Sequence, residues 1–299
     1  MSVLVIRLGA LGDLVQAFDA FHAIRRHHPQ DEIVLLTAPE FARFARAMPW
    51  FDQVWEDGRG RSLLHYLAVG WRLRRGSFTR VYDLQGKPRT RRYRLLSGLR
   101  RHWPLPPAGG PVQPNHDRYL AQLAAAGVAT AGESYQPADL GWLDADVRAL
   151  QPDGRYLLLI PGCSPHLPHK RWPAGRYAEL ARRLLERRIM PVLIGTDADA
   201  EAALQIRIGA PGTASLIGRT SLAQVAALAR GALGTVGNDT GPVFLTAAVG
   251  CPTLMLMSHH TDPERSAPWG PRATWMKRAD LAGLATDEVD AVLADLLGL

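Results

Sequence analysis

The sequence predicts an α/β protein made of two doubly wound parallel sheets facing a central cleft. Three observations carry this. The chain opens on strand, tight turn, helix and strand, the signature of a parallel βαβ unit. The same alternation begins again after residue 150. And 299 residues with 47% hydrophobic content make enough core for two domains of about 150 residues rather than one.

The first half reads as strand SVLVIRL, glycine turn GALGD, then a helix with Leu14, Ala17, Phe18, Phe21 and Ile24 at helical spacing. Strand EIVLLTA follows, with further strands at QVWE and RVYDLQG. The Pro- and Gly-rich run 104–117 is a loop by composition, and RYLAQLAAAGV after it is a helix. The polar stretch 136–155 separates the halves, placing the boundary near residue 150. The second half runs through strand RYLLLIPG, helix AGRYAELARRLLERR, strand MPVLIGT, helices DADAEAALQIRIG and SLAQVAALARGA, strand LGTVGND, helix GPVFLTAAVG and strand TLMLMS. The tail DEVDAVLADLLGL is an amphipathic helix whose docking partner the pattern does not name.

Composition narrows the class. A charged fraction of 21% with 28 Gly and 22 Pro is that of a globular chain. Two cysteines, Cys163 and Cys251, give no disulfide framework and suit a reducing cytoplasm. The opening MSVLVIRLGALGD lacks the basic start and long apolar run of a secretion signal. The uncharged stretch 240–258 is broken by Pro242, Gly250 and Pro252, too interrupted for a membrane-spanning helix. The net charge is +7, and fourteen Arg and Lys between Arg59 and Arg118 face only Asp83 and Asp117. Such a field attracts phosphates, and equally reads as a solvated basic face. No interleaved aromatics or recognition helix point to nucleic acid.

In open parallel sheets ligands bind outside the carboxyl ends of the strands. Four loops there carry chemistry. In Arg7–Asp13 two glycines permit a sharp turn, and Asp13 reads equally as a helix cap or as a general base taking a proton from a hydroxyl. In Gly237–Pro242, Pro at a helix start leaves N–H donors aimed at an anion; Asp239 there suits sugar hydroxyls or the Lys170 ammonium. The loop Pro161–Ser164 with His169-Lys170-Arg171-Trp172-Pro173 supplies a hydroxyl and one of only three lysines, groups that a diphosphate leaving group would use. Last, Asp197 after strand MPVLIGT can accept ribose hydroxyls, while Ser221 beside Thr220 reads as a helix cap. The D-x-D pairs at 144–146 and 197–199 read as solvated caps, and His166, His169, His27-His28 and His259-His260 as surface histidines.

The set RLGALGD, PGCS…HKRWP, GRTSLAQVAAL and VGNDTGP, in this order across both halves, resembles glycosyltransferase family 9, the ADP-heptose:lipopolysaccharide heptosyltransferases. The resemblance runs from residue 1 to about residue 272. It implies the GT-B architecture of two Rossmann-like domains, with residues 1–150 binding the acceptor and 151–299 the nucleotide sugar. It implies an inverting transfer of heptose from an ADP-sugar co-substrate to a lipopolysaccharide-core or other anionic glycan or lipid-linked acceptor, with no cofactor and no metal. By resemblance Asp13 is the catalytic base, and Ser164, Lys170, Asp239, Thr240, Gly241 and Pro242 hold heptose and diphosphate. Asp197 and Thr220 align with ribose and adenine contacts. The Arg-rich stretch 59–101 would give a cytoplasmic enzyme peripheral contact with the inner membrane face.

The chain departs from the family at two places. Val243-Phe244 replaces the usual Met-His after Gly-Pro, and Ser258–Pro263 stands where Phe-Gly-Pro is common. These leave room for another GT-B enzyme using a different nucleotide sugar, or for a non-catalytic sugar-nucleotide-binding protein.

Overall fold

The computed structural model describes residues 1–105, 112–131, 136–164 and 166–299; part of the expected 104–117 loop, residues 106–111, lies outside them. The chain divides into two compact units, Met1–Trp142 and Leu143–Leu299. Trp142 is gripped by the rings of Phe18 and Trp50, at 5.8 and 5.7 Å between centroids. Leu143 is fully buried in the second unit and its carbonyl accepts from Arg230 at 3.0 Å. The polar stretch 136–155 therefore belongs mostly to the second unit.

In the first unit β1 (Ser2–Ile6), β2 (Glu32–Thr37), β3 (Gln53–Glu56) and β4 (Arg80–Asp83) form one parallel sheet in the order β3-β2-β1-β4. β1 and β2 at the centre are runs of β-branched and aliphatic residues, as strands covered on both faces require, while the edge strand β3 is half-exposed and polar at both ends. The helix expected from Leu14 is two, α1 (Leu11–Val15) and α2 (Phe18–His27), with the break at Gln16-Ala17. α3 (Pro39–Ala45), α4 (Leu63–Arg75), α5 (Pro88–Ser97) and α6 (Asn115–Ala125) complete the unit. α4 and α5, neither of them among the helices expected from the sequence, pack on each other.

The second unit holds β5 (Tyr156–Ile160), β6 (Met190–Leu193), β7 (Ala214–Ser215), β8 (Thr235–Asn238), β9 (Thr253–Met257) and β10 (Ala273–Lys277). Their parallel order is β10-β9-β8-β5-β6-β7. The edge strands β7, of two residues, and β10, which is only part-buried, were not foreseen. The helices are α7 (Ala174–Glu186), α8 (Ala200–Gly209), α9 (Leu222–Gly231), α10 (Gly241–Ala248), α11 (Pro263–Ser266) and α12 (Thr286–Leu297). α12 is the amphipathic tail, and its partner is α7: Val289 and Leu293 enter the core, and Asp290 receives a two-pronged Arg187 at 2.6 and 2.7 Å. Among the described residues no helix is long and apolar enough to cross a membrane.

Both sheets change direction of winding once. The switch falls between β1 and β4 in the first unit and between β5 and β8 in the second. Neighbouring strands there send their connections to opposite faces, which opens a crevice at their carboxyl ends. Arg7–Asp13 leaves β1, while Pro161–Lys170 and Asn238–Gly241 leave β5 and β8.

One buried charge cluster fixes α6 on α2. His116 contacts Asp19 at 2.7 Å and Asp117 at 2.9 Å. Burial opposes its charge, but the two carboxylates outweigh burial and raise its pKa above the ordinary value. A histidine raised on folding contributes stability that is complete below its unfolded pKa and lost as pH rises through the folded one. We expect His116→Gln to lower Tm more at pH 5.5 than at pH 8.5, measured by thermal unfolding; an equal loss at both would contradict the pairing.

Candidate functional site

In the first unit the loop after β1 is held on every side. Arg7 is a charged residue at the end of an apolar strand, and its side chain is almost fully buried. One guanidinium nitrogen donates to the Leu84 carbonyl at 2.7 Å and another pairs with Asp13 Oδ2 at 2.5 Å. The Leu8 N–H donates to Gln85 Oε1 at 2.9 Å, and Arg59 donates to the Leu8 carbonyl. Gly9 takes φ +111°, and a Cβ there would collide with the Phe41 ring. Asp13 is one-third exposed. It accepts the Ala10 N–H at 3.1 Å and the Asn115 amide at 3.4 Å. The same carboxylate thus closes the first turn of α1 and stands open to solvent at the switch point, so capping and chemistry are not alternatives here.

Beside this loop lies a network that the sequence reading missed. Asp57 is fully buried and receives the Arg59 N–H at 2.9 Å, His65 Nε2 at 2.8 Å and the Tyr93 hydroxyl at 2.7 Å. Burial first, then the bond to Asp57, raises the Tyr93 pKa and keeps the hydroxyl a donor. Arg89 donates to Tyr93 Oη at 2.8 Å and to the Gly60 carbonyl at 3.1 Å. One buried carboxylate so fixes Arg59, and through Tyr93 Arg89, at the carboxyl end of the first sheet.

The second unit brings three sequence-distant stretches together. Asn238, completely buried, accepts the Trp172 N–H at 3.0 Å and the Tyr177 hydroxyl at 3.1 Å on Oδ1. Its Nδ2 donates to the Pro161 carbonyl at 2.6 Å. That ties the end of β8 to the exit of β5 and the start of α7. Next to it, Asp239 Oδ2 receives Lys170 Nζ and Thr261 Oγ1, each at 2.5 Å. Thr240 holds the N-cap position of α10 with no side-chain cap bond, and the first turn begins Gly241-Pro242. The first N–H groups of such a helix have no partner inside it and face outward. Lys170 lies beside this turn, while Ser164 is exposed on the same loop and its carbonyl turns back to the Leu167 N–H at 2.9 Å.

The remaining expected residues divide. Asp197 is exposed and lies against Gly218, and Thr220 is half-buried one residue before the Ser221 cap. Ser221 Oγ accepts the Gln224 N–H at 3.3 Å, as its reading as a cap requires. Asp199 differs from the solvated cap expected of it. It is buried, holds the Thr196 N–H at 2.9 Å, and sits so close to Gly162 that any side chain there would strike its carboxylate. Among the described residues no group of three or more His, Cys, Asp or Glu could hold a metal ion.

One histidine reading changes, at His28, while His169, His259 and His260 are exposed as expected. His28 is half-buried between Asp31 and Tyr82, at 2.8 and 3.0 Å. His169, His260 and His259 stack in a pile with 3.7 Å between successive ring centroids. Desolvation, with the neighbouring His169, His259 and Lys170, lowers the His260 pKa. Phe244 is buried in α10, so no polar group stands at that position. A separate cavity lined by Arg155, Arg230, Cys251 and Arg272 lies at the amino ends of β5 and β9, away from these loops.

A family model described as glycosyltransferase family 9 (heptosyltransferase) matches residues 96–288. The lipopolysaccharide heptosyltransferase 2 of Escherichia coli K12 is 25% identical over 86% of this chain and 82% of its own. Among solved structures, an E. coli ADP-heptose lipopolysaccharide heptosyltransferase II superposes with TM-score 0.78, 21% identity, and coverage of 99% of this chain and 98% of that one. An E. coli heptosyltransferase solved with ADP-2-deoxy-2-fluoro heptose gives 0.76, 19%, and 99% of both.

The Asn238 amide carries three hydrogen bonds in the core, so its loss strands buried partners at a cost of about 1–3 kcal/mol each. Asn238→Ala should lower stability by about 2–4 kcal/mol in urea unfolding. Asp239→Asn, which keeps shape and a Thr261 partner, should cost under about 1.5 kcal/mol. Equal losses would contradict the division of labour between these neighbours.

Proposed function

The chain belongs to glycosyltransferase family 9, and from that premise we propose that it moves a heptose from ADP-heptose to a hydroxyl of a lipopolysaccharide-core precursor, inverting the anomeric carbon. The observation that carries the reading is the junction of Lys170, Asp239 and Thr261 with the first turn of α10, at the switch point of one sheet. An ammonium, a helix start and a sugar-facing carboxylate together match a sugar diphosphate.

The acceptor oxygen forms the new bond to the anomeric carbon as the bond to the diphosphate breaks, and the electron pair leaves with ADP. Asp13 takes the hydroxyl proton. Arg7 and the Ala10 N–H fix one oxygen of that carboxylate, so the other keeps a defined direction toward the acceptor. Charge growing on the leaving diphosphate meets Lys170, Ser164 and the Thr240 and Gly241 amides, with Pro242 shaping the turn. Losing one such contact typically costs about 10²–10³ in rate. Asp239 holds Lys170 in place and is itself free to accept sugar hydroxyls on its other oxygen. Asp197 and Thr220 take the ribose and adenine. The acceptor is an anionic, lipid-linked glycan, met at the cytoplasmic face of the membrane by the first unit; Arg59 and Arg89 there suit its phosphates.

The reaction uses no resident metal: the cationic side chain and the amides do the work that a divalent ion would do on a diphosphate. One feature favours a second reading, transfer of a different sugar from its nucleotide. Phe244 is buried where the family carries histidine, so no imidazole stands at that position.

The test is turnover with ADP-heptose and a core precursor lacking its terminal heptose, read as ADP release and product mass. Asp13→Ala should lower kcat at least 10²-fold with little change in ADP-heptose affinity, and Lys170→Ala should lower kcat/KM by about 10²–10³. Activity should persist in EDTA. Turnover with another nucleotide sugar but not ADP-heptose would favour the second reading, and unchanged kcat in Asp13→Ala would remove it as the base.

A further inference from the structure

The outer face of the α4–α5 pair carries chemistry that the transfer reaction does not use. An amphipathic helix normally buries its leucines, and α4 does the reverse. Its inward face is Tyr66, Gly70 and Leu73, while Leu63, Leu64, Leu67 and Trp71 stand exposed, Leu64 at 77% and Trp71 at 61%. At 100° per residue these four fall within one arc about 100° wide, a continuous stripe along the helix. α5 extends it. Leu96 lies against Gly70, close enough that a Cβ on the glycine would meet Leu96 Cβ at 2.8 Å, and Leu95 and Leu96 are both exposed. Contiguous exposed apolar surface of this kind marks an interaction site in a soluble domain.

The charge around the stripe identifies the occupant. Neither helix contains an acidic residue. Arg74 and Arg75 close one end of the stripe on α4, with the Arg75 guanidinium 4.5 Å over the Trp71 ring, and Arg91 and Arg92 stand exposed on α5 one turn before its leucines. Between the two helices in sequence the one carboxylate is Asp83, which is buried and faces inward to the Gln85 and Gly86 amides. A second copy of the chain meeting this face about a two-fold axis would set arginines against arginines. A nucleic acid would leave the leucines without apolar company. An anionic bilayer surface satisfies both parts at once, with apolar side chains entering the acyl boundary and arginines meeting lipid phosphates.

We infer that the outer face of α4–α5 is a membrane-docking surface for anionic lipid, with Leu63, Leu64, Leu67 and Trp71 inserting into the headgroup layer and Arg74, Arg75, Arg91 and Arg92 pairing with phosphates. The inference deepens the proposed function and rests on it for its purpose, since a lipid-linked acceptor reaches an enzyme that sits on the bilayer. The Arg59–Arg89 network begins where α4 begins, so docking through α4 brings the carboxyl end of the first sheet to the lipid surface.

The test is co-sedimentation of the full chain with vesicles of phosphatidylcholine alone and of phosphatidylcholine with 30% phosphatidylglycerol, without sugar nucleotide or acceptor. Binding should appear on the anionic vesicles, weaken with salt, and fall more than tenfold in the exposed-face variant Leu64→Ser/Leu67→Ser/Trp71→Ser. Arg74→Glu/Arg75→Glu should cost about fivefold per arginine. Both variants should keep the parental Tm and their turnover on a delipidated, water-soluble acceptor. The inference is overturned by equal binding to both vesicle types, by unchanged binding in the leucine–tryptophan variant, or by a wild-type dimer or nucleic-acid complex that this variant alone dissolves. Because partition is measured without substrates, loss of the transferase reading and loss of the docking surface give different results.

Discussion

The side-chain amide of Asn238 ties three stretches of chain that the sequence keeps far apart, and the candidate donor loops depend on that tie. It sits at the last position of β8, where the buried register against β5 ends at Ile160 and Gly237. From there it holds the Pro161 carbonyl on one side and the Trp172 N–H on the other. The loop between those two anchors carries Ser164, His169 and Lys170. Its reach is set by the amide, not by its own secondary structure, which among the described residues amounts to a single 3-10 turn at Pro168–Lys170. A buried amide that satisfies donor and acceptor at once is costly to build and hard to move. That is the right kind of anchor for the ammonium to which the proposed reaction assigns the leaving diphosphate.

The first unit solves the same problem with charge. Arg7 is buried at the exit of β1 and its guanidinium divides between the Leu84 carbonyl of the neighbouring loop and the Asp13 carboxylate. Asp57, buried at the exit of β3, does likewise for Arg59 and His65. Each is an ionic group placed where a strand ends, held by hydrogen bonds that leave an adjacent group directed and exposed. The units share a logic: a buried polar residue at a strand exit fixes a loop, and the loop presents the chemistry.

The periodic parts of the chain were legible before the structure. Eight of the strands were legible, β1, β2, β5, β6, β8 and β9 as apolar runs and β3 and β4 as short stretches around a β-branched and an aromatic residue, and NDTGP marked the helix start of α10. α4 and α5 were not legible, for a physical reason. α4 turns Leu63, Leu64 and Leu67 outward and only Leu73 inward, so the apolar period that marks a core-facing helix is blurred by the stripe that faces away from the core. The edge strands β7 and β10 are short or half-exposed and leave little pattern. Arg7 had a signal, a charge closing the run VLVI, whose meaning depends on Asp13 and Leu84 being neighbours in space. The His169–His260 pile and the Thr261–Asp239 bond join residues 22 or more positions apart, and no local pattern encodes them. The fate of Asp199 likewise turned on Gly162, which comes close only when β5 and β6 are paired.

The central claim is that the loops leaving β5 and β8 form one diphosphate cradle around Lys170. The most direct test is a crystal structure of the chain with ADP. The account predicts phosphate oxygens within hydrogen-bond distance of Lys170 Nζ and of the Thr240 or Gly241 N–H, with all three Asn238 hydrogen bonds unchanged. ADP bound elsewhere, or bound with Lys170 still closed on Asp239 and no phosphate at the start of α10, would contradict it.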